Sequence, residues 1–507
     1  MLPQQLKALI VGGISLGLAL FLGYAVAREN YFLLVAGVMG AVVVYALVTP
    51  GYALMLALAI LSPMNLPLPF VWNFPFVLLM LGLCFVKYVL QRAVAPESVP
   101  KLRPALTWLV AVFFLWVAIR YAMDPVLPGV AVGRGNDVTG FRAYLNFFTC
   151  FFLLVTVSLY VSTESQAAAL VRSLVWVSLA FVLVLVPLTL TKSMFVIDLL
   201  TGFGMYVAMY DNGWLRFVVL GLFGQLLVAG AMLPALVPIE RKWVRLGIFG
   251  LGMVGVLLSG NRTSVVMVAM LVVSIAYFRR QRRLLTACIA GVVLFLSGSW
   301  YLGEHHRFSG GVGLYRFVTL VSGRAAEMTD AAQNVQWRRV RWERAWHDIK
   351  REPWVGLGYG GLQRAFSYST RAEYEAAAIE IDVAAGSIHN GYLASARALG
   401  IPAACLFVLI VIVQGLREFR EIRRWEAHSV VRAQLHMFTL ANLLTMLLES
   451  YVGHGLNNHV VWLLIGMGIA IRRIPFRQVP GPESVADRGS EPGTGPIRGF
   501  TTHPFPA

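Results

Sequence analysis

Three short stretches concentrate side chains able to do chemistry. The first is the turn Leu258-Ser259-Gly260-Asn261-Arg262-Thr263, where one guanidinium stands between two long apolar runs. An arginine in that position is either a ligand for an anion or a side chain that snorkels to head groups or caps a helix end. The second stretch is Trp337-Arg338-Arg339-Val340-Arg341-Trp342. Guanidinium forks match phosphate oxygens, and tryptophan faces suit sugar rings or arginine stacking. An amphipathic helix resting on a lipid surface has the same composition. The third is His389-Asn390-Gly391-Tyr392, at the mouth of another apolar run. Imidazole is the side chain best suited to accept a proton near neutral pH, although a lone histidine at a helix end also serves as a cap or a solvated residue. His305, His306, His347 and His454 compete with it. None of these histidines forms a metal-ligand spacing with a carboxylate, so a zinc hydrolase is disfavoured and no metal is expected.

The elements that must carry these residues are apolar helices. Uncharged runs near bilayer length recur at 8–26, 31–49, 51–62, 74–90, 104–122, 143–162, 167–190, 214–236, 243–259, 263–278, 284–302, 390–415, 434–452 and 456–471. That makes about fourteen spans, or about twelve if some of them only dip into the bilayer. Pro50-Gly51 barely separates the second run from the short third, so one of the two is a candidate for a broken or re-entrant helix. Residues 8–26 end near Ala25-Val26-Ala27, which mimics a signal-peptidase site, but the run is longer than a signal core and only Lys7 precedes it; an anchor is the expectation.

Of the 507 residues, 58% are hydrophobic and 13% charged, against roughly a quarter charged in soluble domains. No extended run alternates with period two, so the fold class is an all-α polytopic integral membrane protein rather than a barrel. The net charge of +17 does not indicate nucleic acid, because Lys and Arg sit in short clusters between apolar runs. Lys7, Arg92, Lys101, Arg103, Arg241, Lys242, Arg245, Arg279–Arg283, Arg417–Arg424 and Arg472–Arg477 fall on one side, which the positive-inside rule makes the cytoplasm. Both termini are then expected inside. The chain divides into N-terminal transmembrane helices (1–213), helices carrying the Arg262 turn (214–302), an outer cap loop (303–389), C-terminal transmembrane helices (390–473) and a disordered cytoplasmic tail (474–507). Within the cap, Trp342, Ala345, Trp346 and Ile349 recur at helical spacing, and Pro353 with Gly356, Gly358, Gly360 and Gly361 ends that helix. Arg338 lies one turn before Trp342, whereas Arg339 and Glu343 look like a solvated pair. The four cysteines, Cys84, Cys150, Cys288 and Cys405, all lie in apolar runs and read as core residues. Two arginine sites and a histidine on one side of a membrane can bind an anionic leaving group and activate a hydroxyl; a lipid pyrophosphate is such a group.

At these residues the chain resembles the O-antigen ligase and O-antigen polymerase superfamily of bacterial inner-membrane glycosyltransferases. The matching order is Ser259-Gly260-Asn261-Arg262-Thr263, Arg338-x3-Trp342, Pro353-Trp354-Val355-Gly356-Leu357-Gly358, His389-Asn390-Gly391-Tyr392-Leu393 and Gly400, within Gly221 to Ile471. The resemblance implies a fold like that of other lipid-dependent glycosyltransferases, with the active site on the periplasmic face. It implies that Arg262 and an arginine of the cap helix hold the pyrophosphate of an undecaprenyl-linked glycan. Arg338 is the best placed, with Arg341 beside it, while Arg339, Trp342, Asn390 and Tyr392 are supporting residues. His389 would activate the acceptor hydroxyl, which displaces the lipid pyrophosphate with inversion, without cofactor or metal. The acceptor is a further glycan, the lipid A core or a protein hydroxyl. Two departures stand out: Asn261 precedes Arg262 where the family usually has serine, and Ala398, beside Arg397, stands where the family often has an acid. A transporter or flippase of lipid-linked saccharides is the alternative; it predicts ionisable residues near the middle of spans and a two-fold repeat, neither of which the sequence clearly shows.

Overall fold

The computed structural model of the protein describes residues 52–61, 65–66, 74–94, 107–125, 140–189, 207–209, 215–305, 330–360, 388–452 and 456–475, with Gly17, Gly37, Gly40, Val44 and Val383. Apart from those single positions, the expected spans 8–26 and 31–49 lie outside the described residues, as do Pro50-Gly51, His306, His454 and nearly all of the expected tail. The described chain is helical. In order it forms α1 (Ala53–Leu61), α2 (Phe76–Val94), α3 (Trp108–Met123), α4 (Gly140–Tyr160), α5 (Glu164–Thr189), α6 (Leu220–Met232) and α7 (Lys242–Leu258). There follow α8 (Arg262–Phe278), α9 (Arg282–His305), α10 (Asp330–Arg351), α11 (Gly391–Leu399), α12 (Ile401–Trp425), α13 (Val430–Val452) and α14 (His459–Arg473). Two antiparallel hairpins are added: β1 (Asn65–Leu66) with β2 (Phe74–Pro75), and β3 (Val207–Met209) with β4 (Leu215–Phe217).

Among the described residues, α2, α4, α5 and α12 are long and apolar enough to cross a membrane, while α3, α6 and α8 are apolar but shorter. The described helices agree with the expected fourteen spans only in number. The first two spans are not among them, α10 belongs to the cap, and the run 390–415 is two helices meeting at Gly400. The run 214–236 likewise opens with strand β4 before α6 begins.

The bundle has two chemically distinct ends. At one, Arg280 pairs with Glu426 at 2.9 Å, Arg279 donates to the Met232 carbonyl, and Arg432 donates to the carbonyls of Ile471 and Ile474. Arg472 and His436 both meet Glu418 there. The opposite end carries the Arg262 turn, the β3–β4 hairpin and the cap helix α10. At the centre, α13 packs against α8, α12 and α14. Helix α14 is buried all round from Val460 to Ile471, and α6 is buried on every side, as befits apolar helices enclosed by others. Helix α9, by contrast, packs mainly on α8 and exposes Val293, Leu294 and Trp300, a face suited to lipid. All four cysteines are free; Cys84 and Cys150 are core residues as expected, but Cys405 is exposed on α12, a correction that follows from its position on the outward face.

Candidate functional site

The site grows from a helix too short to be stable alone. Helix α11 has nine residues, fewer than an isolated helix needs in water, so its ends must be satisfied by the rest of the protein. At its start, the Asn390 side chain accepts from the amides of Tyr392 and Leu393, both at 3.1 Å. At its finish, every one of the last four carbonyls has a donor. Ala396 takes the Gly400 amide, Arg397 the Leu357 amide at 2.7 Å, Ala398 the Gly358 amide at 2.9 Å, and Leu399 the Trp116 indole at 2.8 Å. The Pro353–Gly358 segment is therefore a C-terminal cap in trans. Ile401 completes the crossing by donating to the Pro353 carbonyl at 2.8 Å. The crossing requires glycine at two points. Gly400 (φ +88°) and Gly356 (φ +73°) lie against each other's backbone neighbourhoods, and a Cβ on either would collide with main-chain atoms. From behind, Arg120 donates to the Gly356 carbonyl at 3.2 Å.

This framework presents His389. It is half-buried, immediately precedes the Asn390 cap, and adopts φ +53°, a left-handed conformation uncommon outside glycine. Its neighbour Ile388 is fully buried and accepts a hydrogen bond from the Trp342 indole at 2.9 Å, so cap helix α10 is fastened one residue from the histidine. Ala345 packs with Ile388, Val383 and Ala394, and Ile349 with Ala396 and Ala404. Asp348 and Arg397 close the contact with a nearly buried ion pair at 2.8 Å. The expected apolar face of α10 is narrower than read, because Trp346 is exposed. Tyr392 on α11 donates to the Leu447 carbonyl at 3.1 Å, and Tyr451, one turn further along α13, meets the Trp342 ring edge-on.

Arg338 is exposed on α10, one turn before Trp342, and so shares the flank of the helix that reaches His389. Arg341 is half-buried with its guanidinium 5.8 Å from the Trp337 ring centre. Arg339 pairs with Glu343 at 3.0 Å, both exposed. Arg262 is the first residue of α8. It is not the cap of that helix: Asn261 is, accepting from the Thr263 amide at 3.1 Å. Helices α8 and α13 run antiparallel, and the Arg280–Glu426 pair fixes their basic ends. Arg262 therefore lies at the end of α13 that carries Leu447 and Tyr451. The arrangement places Arg262, His389 and the arginines of α10 at one end of the bundle.

The electrostatics of that end favour an anion. Helices α8, α11 and α14 all begin there, capped by Asn261, Asn390 and Asn458, and each N-terminus contributes about half a positive charge. Among the described residues, Asp348 is engaged by Arg397, Asp124 by Arg120, Glu343 by Arg339, and Glu449 by the Asn458 amide. Among the described residues no group of histidine, cysteine and carboxylate side chains could hold a metal ion. Sequence reasoning missed Trp116 and Arg120, which donate to the carbonyls of Leu399 and Gly356 more than 200 residues away, and the Asp348–Arg397 pair, for which no local pattern gives a signal. It also missed Arg216 on β4, which donates from Nε to the Ser259 carbonyl at 2.8 Å, because β4 was absorbed into an expected span.

Residues 246–408 match the family model described as O-antigen ligase. The matched stretch runs from within α7 to within α12 and contains the Arg262 turn, the cap helix, the Pro353–Gly358 crossing, His389 and Gly400. The resemblance read from the motifs is thereby borne out. No curated protein matches the chain.

Proposed function

We propose that the protein, whose residues 246–408 match the O-antigen ligase family model, is a glycosyltransferase-like enzyme that transfers a glycan from an undecaprenyl-pyrophosphate carrier to an acceptor hydroxyl at the periplasmic face of the bacterial inner membrane. The observation that carries this reading is the short helix α11, capped at both ends, which presents His389 beside the arginine-bearing cap helix. In the proposed reaction the acceptor oxygen attacks the anomeric carbon and its proton passes to the His389 imidazole. The bond from that carbon to the phosphate oxygen breaks, and its electron pair leaves with the pyrophosphate. Arg262 with Arg338 or Arg341 neutralises the departing charge, as guanidinium clamps do in other phosphate chemistry. Attack opposite to the leaving group gives inversion. No step needs a metal, so EDTA should leave the rate unchanged.

The test is glycan transfer by purified protein from an undecaprenyl-pyrophosphate-linked donor, comparing wild type with Arg262→Ala and Arg338→Ala. A loss of about 10²- to 10³-fold is expected for a group that stabilises transition-state charge. Wild-type rates in both variants would remove the arginines from the reaction. Product with a lipid A core, a protein or a second lipid-linked glycan as acceptor distinguishes ligase from polymerase.

The transporter reading draws on one observation: Glu418 and His436 are fully buried within the bundle, 2.6 Å apart. They lie toward the basic end, in contact with Arg472 and Gln414, and so at the far end of the bundle from the arginine-rich cap.

A further inference from the structure

Helix α13 runs through the centre of the bundle, packed on α8, α12 and α14, and from Arg432 to Leu443 every residue is buried. A helix enclosed in this way has no face for lipid. Its last turn differs: Leu447, Leu448 and Glu449 are half-buried, and Tyr451 is 47% exposed. The enclosure therefore opens at the end that carries the cap, and Tyr451 stands at that opening. Two contacts tie the opening to His389. The Tyr451 ring meets the Trp342 ring edge-on, centroids 6.0 Å apart, and the Trp342 indole is pinned by its hydrogen bond to the carbonyl of Ile388, the residue before the histidine. One turn before Tyr451, the Leu447 carbonyl accepts the hydroxyl of Tyr392, in the first turn of α11.

Trp342 and Tyr392 are partly buried and commit their polar atoms to backbone carbonyls. Tyr451 is thus an exposed ring seated against a fixed neighbour, and a ligand that stacks on such a ring pays little ordering entropy. The C–H face of a pyranose is apolar and lies flat on an aromatic ring, while its hydroxyls stay free to bond elsewhere. A serine or threonine side chain offers no such face. We propose that Tyr451 is the stacking platform for the acceptor, and that the acceptor is a saccharide, its pyranose ring lying on the phenol with one hydroxyl turned to His389. This inference rests on the glycan-transfer reading above and narrows its acceptor from any hydroxyl to that of a sugar. A sugar of the donor has the same chemistry, and separate measurements on donor and acceptor tell the two apart.

The experiment measures transfer by the full-length protein in proteoliposomes from an undecaprenyl-pyrophosphate-linked glycan to three acceptors: a lipid A core, a second lipid-linked glycan and a peptide bearing serine and threonine. Affinity for the donor is measured separately in lipid nanodiscs. The expected result is product with a saccharide acceptor and none with the peptide. Tyr451→Ala should raise the acceptor KM about three- to tenfold, the range for one aromatic contact, with donor affinity and melting temperature unchanged. Tyr451→Phe and Tyr451→Trp, which keep a ring, should hold KM near the wild-type value. An unchanged acceptor KM in Tyr451→Ala, or transfer by the wild type to the peptide alone, would overturn this inference and leave the glycan-transfer reading in place. Weaker donor binding in Tyr451→Ala would put the ring under a donor sugar and overturn the acceptor assignment. A loss that follows the melting temperature and that neither aromatic variant recovers would reduce Tyr451 to a structural contact of Trp342. Absence of transfer to all three acceptors would remove the glycan-transfer reading, and this inference with it.

Discussion

His389 occupies a left-handed backbone position, φ +53°, between a buried isoleucine and the asparagine that caps α11. Such a conformation disfavours most L-residues, with asparagine among the better tolerated. His389→Asn is therefore a cleaner probe than alanine, since it preserves the backbone and removes the base. The expected outcome is a fall in kcat of about 10²- to 10⁴-fold, the range for loss of general base catalysis, with donor binding and melting temperature unchanged. At the same scale Arg338 and Arg339 should separate. Arg339 already pairs with exposed Glu343, so Arg339→Ala should transfer glycan at nearly the wild-type rate, whereas Arg338→Ala should not; a kinetic comparison of the two decides it. Arg262 and His389 stand out in the sequence as polar groups at the edges of apolar runs, and Arg338 by its helical spacing to Trp342. Their backbone roles were not legible. That Trp342 holds Ile388, and that Asn261 rather than Arg262 caps α8, depends on contacts that no local spacing encodes.

Among the elements, the short helix α11 is the one on which the others converge. It is capped by Asn390 in front and by the Pro353–Gly358 segment behind, tied to α3 through Trp116, to α13 through Tyr392 and to α10 through Arg397. The motif Pro353-Trp354-Val355-Gly356-Leu357-Gly358 thus has a physical meaning: it supplies the amides that end α11 and the glycine that lets two backbones cross. The Asp348–Arg397 pair is nearly buried, and removing one partner of such a pair costs about 3–5 kcal/mol by leaving a charge unpaired. Thermal or denaturant unfolding should show Asp348→Leu and Arg397→Leu each strongly destabilising, and the double variant less so than their sum. Strict additivity would mean that the pair does not couple the cap to the half-helix. Sequence periodicity located α10 and its end correctly but read α11 and α12 as one span, because an apolar run continues across Gly400 and only the conformation at φ +88° reveals the break.

For the whole molecule, charge clustering in the sequence anticipated a bundle with two unlike ends, and the described residues have that form: arginines bound to helix ends and to Glu418, Glu421 and Glu426 at one, three asparagine-capped N-termini at the other. Exposed aromatic residues mark both levels, Trp108 and Trp243 at the basic end, Trp300, Tyr301 and Trp354 at the cap end, as expected for rings at the two lipid–water interfaces. If the basic end is cytoplasmic, a membrane-impermeant thiol reagent should label Trp354→Cys in intact cells with an opened outer membrane, and Trp243→Cys only after permeabilisation; the reverse pattern would invert the orientation. The number of spans was less legible, since length and hydropathy cannot separate a crossing helix from a buried half-helix. The most direct measurement uses purified protein in proteoliposomes, a labelled undecaprenyl-pyrophosphate glycan and an acceptor, with His389→Asn in parallel. Formation of a new glycosidic bond and release of undecaprenyl pyrophosphate by the wild type, and neither by His389→Asn, is the predicted result. Equal product from the variant, or passage of intact donor across the bilayer with no new bond, would contradict it.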